Sequence, residues 1–164
     1  MVAYRHALTT EYENSEDVQP STVDMVLDWL AAGIDPDKSA MFVQSHVKEH
    51  AGLSLLFSMI TPLGRLERVP TNKEALNEYK SRESSTPRFI GYPLLQATDV
   101  LVYKAHAVPV GQDQLPHLEF ARELVRRLHH LYREVVPEPQ PLLTETPRMI
   151  AAATMEDVRK AMLI

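Results

Sequence analysis

The chain contains no cysteine in its 164 residues. That absence excludes disulfide frameworks, thiolate zinc sites and cysteine nucleophiles together. Long apolar runs are missing too. The longest, such as Leu53 to Ile60, are interrupted by serines and are far too short to span a bilayer. No secretory signal is recognisable, because Arg5 and His6 interrupt the N-terminus before an apolar stretch develops. There is no internal repeat, no low-complexity tract, no nucleophile elbow and no glycine-rich phosphate loop. Among seven histidines only His46 and His50 stand at i, i+4, on a predicted helix with no third ligand in view, so no zinc site is expected. A cytoplasmic, non-membrane protein is the default expectation.

What is present is an ordinary globular composition, 45% hydrophobic and 24% charged. It fits a single soluble domain over residues 1–164, long enough to bury a core without staples. The net charge of −5 gives no whole-chain footprint for nucleic acid. Basic residues do cluster locally, at Lys80-Ser-Arg82 and at Arg122, Arg126, Arg127 and Arg133 along one predicted helix. The plain reading of that helix is a solvated face laced with ion pairs.

Along the chain, Met1-Val-Ala3 reads as a short strand stump. A helix is expected from Ser21 as N-cap, with Val23, Val26, Leu27, Leu30 and Ala31 on one face, ended by Gly33 and the turn Asp35-Pro-Asp37. Ala40 to Val43 suits a strand buried on both faces, and His46 to Ile60 a second helix. Arg65 to Arg88 is polar and mixed in charge, with a short helix near Lys73 to Tyr79 and then a loop. A helix follows from Tyr92 to about Tyr103 with Pro93 in its first turn, then a strand at Ala107 to Val110, Gly111, and a long helix from Gln114 to Tyr132. Val135 to Pro147 is proline-rich with a short strand at Leu142-Leu143, and Thr154 opens a last helix with a capping-box-like arrangement. Short strands alternating with helices imply an α/β fold, a parallel sheet wound by right-handed crossovers.

The informative element is Gly91 to Tyr103. It is largely apolar, yet Tyr92, Gln96, Asp99 and Tyr103 recur at spacings of four, three and four and so share one helix face. A carboxylate on a buried helix is costly without donors. Either Asp99 is satisfied by a neighbouring arginine or backbone groups, or it lines a pocket and awaits a ligand donor. Val108-Pro-Val-Gly-Gln-Asp-Gln114 is a strand end leading through a glycine to a helix mouth, the place where open α/β sheets bind ligands and where ribose or phosphate is accommodated. An ordinary turn capped by Asp113 explains it equally well. His6, after the strand stump, reads on its own as a structural hydrogen bonder.

His6-Ala-Leu-Thr9, Phe42-Val-Gln-Ser45, Gly64-Arg-Leu-Glu-Arg68, Gly91 to Tyr103 and Val108 to Gln114 resemble, in order and approximate spacing, the bacterial tryptophanyl-tRNA synthetases, class I enzymes. The resemblance extends through His117-Leu-Glu119, Arg122 and Pro137-Glu-Pro-Gln140 and covers most of residues 4–148. It implies part of a Rossmann-like class I catalytic core, a parallel sheet flanked by helices. Asp99 would accept the indole N–H of tryptophan, a pairing that discriminates strongly against analogues without that N–H. Tyr92, Gln96 and Gln114 would hold the amino acid's ammonium and carboxylate, and His6 would orient the pocket. Gly111 and Asp113 would approach the adenosine of ATP. Val108, Val110 and Leu95 would supply the carbon face.

The family reaction activates tryptophan with ATP and magnesium and transfers it to tRNA(Trp), and family members are homodimers, with Leu63 to Tyr79 resembling their contact surface. The HIGH-type and KMSKS-type signatures and the C-terminal anticodon-binding domain are not recognisable. Thr144 to Met149 runs directly into Ile150, where the family inserts its loop, and Asp157-Val-Arg-Lys160 resembles sequence beyond it. Gln112 stands where many relatives carry glutamate. No catalytic residue is therefore assigned. Tryptophan recognition with little catalysis is expected, since groups that stabilise a transferring phosphate are worth orders of magnitude in rate. A shortened paralogue that senses tryptophan is the alternative reading.

Overall fold

The structure, a computed structural model, describes residues 1–10, 15–70 and 86–143. The expected helices near Lys73 and Thr154, the Lys80-Ser-Arg82 patch and the Met149–Ile150 junction lie outside those residues.

Helix α1 spans Tyr4–Thr10, with only Ala3 between it and Val2. Val2 is buried and forms a parallel bridge with Val43, its N–H donating to the Phe42 carbonyl at 2.8 Å and its carbonyl accepting from the Gln44 N–H at 3.0 Å. The expected strand at Ala40 to Val43 is thus reduced to one bridging residue, and Ala40 itself is exposed. Helix α2, Val18–Ala31, begins three residues before Ser21. It follows a 3-10 turn at Ser15–Asp17, and Pro20 sits in its first turn, where no intrahelical N–H is needed. Its apolar face is not buried: Val23 and Leu27 are each more than half exposed. Gly33 ends it as expected, at φ +89°, with the Gly33 N–H on the Leu30 carbonyl and the Ile34 N–H on the Trp29 carbonyl. These are the paired closing bonds of a Schellman motif. The Asp35 carboxylate then accepts from the Asp37 N–H at 3.0 Å, fixing the turn.

A 3-10 turn, Gln44–His46, precedes α3 (Glu49–Ile60), so that helix starts later than the sequence pattern suggested. His46 is exposed on the turn and His50 is buried on the helix; the i, i+4 pair does not share a helix face. Short helices α4 (Leu63–Leu66) and α5 (Pro87–Ile90) flank the undescribed segment, and α5 is capped by the Thr86 hydroxyl accepting from the Phe89 N–H. Then come α6 (Tyr92–Leu101), with Pro93 in its first turn, strand β1 (Ala107–Val110), a 3-10 turn (Gln112–Gln114), α7 (Leu115–Leu131) and strand β2 (Gln140–Leu143). Strands β1 and β2 pair in parallel, Ala107 opposite Gln140, with α7 as the crossover between them.

The core lies where α3, α6 and α7 meet. Phe57, Leu94, Ala97, Leu101, Phe120, Ala121, Leu124 and Val125 are packed there, with Leu66 and Val69 closing it. Truncating Phe57, 2% exposed, to alanine would cost roughly 3–5 kcal/mol. Leu94, Ala97 and Leu101 recur at helical spacing and bind one side of α6 to this core. The other side of α6 is left for polar side chains. On α7, Arg122 and Arg126 pair with Glu119 and Glu138, the ion-paired solvated face expected of that helix.

Candidate amino-acid-binding site

The helix ends at Leu101, so Tyr103 lies in the turn beyond it, and the polar side of α6 carries the other three residues that the sequence spacing placed there, Tyr92, Gln96 and Asp99. Asp99 is at its centre, its side chain 10% exposed. Gln44 Nε2 donates to Asp99 Oδ1 at 2.6 Å and His50 Nδ1 meets the same oxygen at 2.6 Å. His6 Nε2 meets Oδ2 at 2.7 Å. An ionised carboxylate only accepts, so both imidazoles donate to it. His50 then keeps Nε2 to accept from the Tyr103 hydroxyl, 2.8 Å away. Asp99 is therefore satisfied neither by an arginine nor by backbone, but by three side chains from α1, the Gln44–His46 turn and α3.

These partners leave an asymmetry. Two oxygens offer about four acceptor positions, and three are used. The vacant one is on Oδ2, the oxygen shared with His6. Gln44 and His50 are both fully buried, so the Oδ1 side is rigid and dry. The Tyr92 ring packs edge-on against His6 at 4.4 Å, and the Phe42 ring lies tilted against Tyr103 at 5.5 Å. Burial, and then the Asp99 charge, raise the pKa of both Tyr92 and Tyr103, so both hydroxyls stay protonated donors at neutral pH.

One turn back on α6, Gln96 Nε2 donates to Gln114 Oε1 at 3.2 Å, and Gln114 Nε2 donates to Asp113 Oδ2 at 2.6 Å. This chain ties α6 to the β1–α7 junction. Gln96 Oε1 is buried with no partner, and so is His6 Nδ1. Buried acceptors of this kind are rare unless a ligand or water supplies the proton. The cap position of α7 is Gln114, one residue after Asp113, and Gln114 makes no side-chain cap bond. A Cβ on Gly111 would lie 2.5 Å from Asp113 Oδ1, so the glycine is what lets that carboxylate fold back over the junction.

The structure thus gathers His6, Tyr92 and Asp99 into one cluster and Gln96, Gln114 and Asp113 into a second, with Gly111 beside it. Val108 and Val110 are half-buried on β1, while Leu95 turns away to line a separate cavity. Gln44 and His50 are the residues sequence reasoning did not assign. Their signal was faint: Gln44 lies within the Phe42 to Ser45 block, and the spacing of His50 from His46 suggests only a metal ligand.

Residues 1–157 match the family of tRNA synthetases class I (W and Y), the tryptophan and tyrosine enzymes. The chain belongs to that family. The tryptophan–tRNA ligase of Thermotoga maritima is 53% identical over 148 residues, covering 90% of this chain and 45% of that enzyme. The tryptophan–tRNA ligase of Ralstonia nicotianae is 56% identical over 131 residues, covering 80% and 33%. A structure of Campylobacter jejuni tryptophanyl-tRNA synthetase complexed with ADP and tryptophan, 32% identical, superposes with a TM-score of 0.79 over 88% of this chain and 44% of that one. The fold is the Rossmann-like class I core, represented in part. The chain spans less than half the length of each of these three relatives. Among the described residues no helix is long and apolar enough to cross a membrane.

Proposed function

We propose that this chain forms the amino-acid-binding part of a tryptophan–tRNA ligase. The observation that carries the reading is the open acceptor position on Asp99 Oδ2, held in place by Gln44, His50 and His6. The tryptophan side chain has one polar group, an indole N–H, which can only donate. A buried, pre-oriented carboxylate with one vacancy matches it, and a phenol presented instead of an indole would leave that pairing mispositioned. Gln96 Oε1, buried and without a donor, is suited to the substrate ammonium, with Tyr92 and Gln114 completing the polar end. The ligand-bound Campylobacter relative and the names of the curated relatives support the same assignment.

In this reading ATP approaches at Gly111 and Asp113, and magnesium enters on the nucleotide's phosphates. The product is tryptophanyl-adenylate, then charged tRNA(Trp), in the cytoplasm. A homodimer follows from the same reading. Leu55, Leu56, Met59 and Leu63 form an apolar stripe, each at least 58% exposed, running along α3 into α4. That stripe leads into the segment resembling the family's contact surface.

The direct test is calorimetric titration of the chain with L-tryptophan, with L-tyrosine and the Asp99→Ala variant as controls. Saturable binding of tryptophan alone, lost in the variant, is expected. Equal binding of tyrosine, or binding that survives in Asp99→Ala, would overturn the assignment.

A further inference from the structure

A cavity of about 450 Å³ opens beside the Asp99 cluster at the meeting of α1, the Gln44–His46 turn, α3, α5 and α6. Two arginines line it, Arg5 and Arg88, together with Tyr4, Ser45, Ser54 and Leu95. Arg5 Nη1 is buried and has no hydrogen-bond partner. Its Nη2 reaches only the Ser45 carbonyl, at 3.5 Å, the long limit of such a bond. Arg88 Nη2 donates to the Arg5 backbone carbonyl at 2.6 Å, which brings the second guanidinium over the first residue's backbone. Neither arginine takes part in the ion pairs formed among the described residues.

Two like charges converging on one cavity repel each other, and a buried guanidinium nitrogen without an acceptor carries a desolvation cost. An anion relieves both. We infer that this cavity binds a phosphate group. A tetrahedral phosphate offers acceptor oxygens in several directions at once, which suits two guanidiniums set on different elements with the Ser45 and Ser54 hydroxyls nearby. The Leu95 wall and the volume leave room for the body that carries the phosphate. The site is distinct from the Gly111–Gln114 junction and independent of whether tryptophan occupies the Asp99 cluster. It adjoins that cluster through the chain, since Arg5 precedes His6 and Ser45 follows Gln44. A phosphate held there sits one residue away from the amino-acid site, where a nucleotide or an unpaired RNA strand reaching that site would pass.

The test is isothermal titration at low ionic strength with three probes: inorganic phosphate, AMP and a short unpaired ribo-oligonucleotide. Saturable binding of at least one is expected, weakened about tenfold by Arg88→Gln and by Arg5→Gln, and weakened less by Arg88→Lys. Arg88 is exposed, so its variants fold even where Arg5→Gln does not, and they decide the matter alone. Arg133→Gln, exposed after α7, serves as the control for non-specific attraction. Binding of phosphate itself identifies a free-anion site, and binding of the oligonucleotide alone identifies an RNA phosphate; both uphold the inference. No saturable binding of any probe, or equal loss in Arg133→Gln and Arg88→Gln, would overturn it.

Discussion

Gln44 and Asp99 are 55 positions apart in the chain and meet at 2.6 Å, amide to carboxylate, with Gln44 fully buried. The contact joins the turn before α3 to the middle of α6, and Gln44 also accepts from the Arg5 N–H at 3.0 Å. One side chain therefore ties three elements to the proposed tryptophan acceptor.

Removing that tie tests whether Asp99 is held or merely present. Gln44→Ala leaves a buried carboxylate short of a donor and the Arg5 N–H short of an acceptor. It is expected to lower stability by about 1–3 kcal/mol and to weaken tryptophan binding. Tyr103→Phe removes only the outer bond to His50 and should cost about 0.5–1.5 kcal/mol with little effect on affinity. Urea denaturation and tryptophan titration read both effects. A Gln44→Ala chain as stable as the parent would show that the contact is not formed in solution.

Much of the site was legible in the sequence because a helix face is a local property. The spacing of Tyr92, Gln96, Asp99 and Tyr103 needs only the helical period; the first three lie on α6, and Tyr103, just past its end, reaches His50 beside Asp99. Strand β1 was recognisable from its apolar run and the glycine after it. What completes the carboxylate was legible only in part: the resemblance placed His6 at the pocket, but Gln44 and His50 come from elements whose positions depend on tertiary packing. The same holds for α2. Its apolar spacing predicted a buried face, but periodicity reports that a face wants cover, not that this stretch of chain supplies it. Ser21 looked like a cap, yet the preceding 3-10 turn let the helix start earlier.

Two glycines should respond with opposite signs. Gly33 sits at φ +89° with open space where an added methyl would point, so Gly33→Ala carries only the left-handed backbone penalty, about 1–2 kcal/mol. Gly52 lies inside α3, also in open space, and there alanine relieves backbone entropy, so Gly52→Ala should stabilise by about 0.5–1 kcal/mol. Thermal denaturation of the two variants separates them. A loss of stability in Gly52→Ala would mean that something covers that face of α3.

His117 gives the fold a pH dependence of known sign. Burial near the start of α7 lowers its pKa below the ordinary value of 6.5, and the Asp113 charge opposes the shift only in part. Above 6.5 the imidazole is neutral in both folded and unfolded chains, and its contribution is fully present. As pH falls through 6.5 towards the folded value, the unfolded chain takes up the proton first, and native stability is lost. Melting temperature should therefore decline between pH 7.5 and 5 by more in the parent than in His117→Asn. Identical pH profiles would remove His117 from the account.

The apolar stripe of α3 offers the sharpest test of assembly. Phe57 and His50 occupy the inward side of this helix, so Leu55, Leu56 and Met59 project from the other side with no described cover. Monomeric proteins seldom leave contiguous patches of this kind open, and a two-fold pairing of identical stripes buries both at once. Leu56→Glu with Met59→Glu places charge on a face that is largely exposed among the described residues. Folding should be unaffected, while self-association is lost, as read by analytical ultracentrifugation across a concentration series. A parent chain that sediments as a monomer at every concentration would exclude the stripe as a dimer surface for this chain, and an unchanged dimer in the variant would place the interface elsewhere.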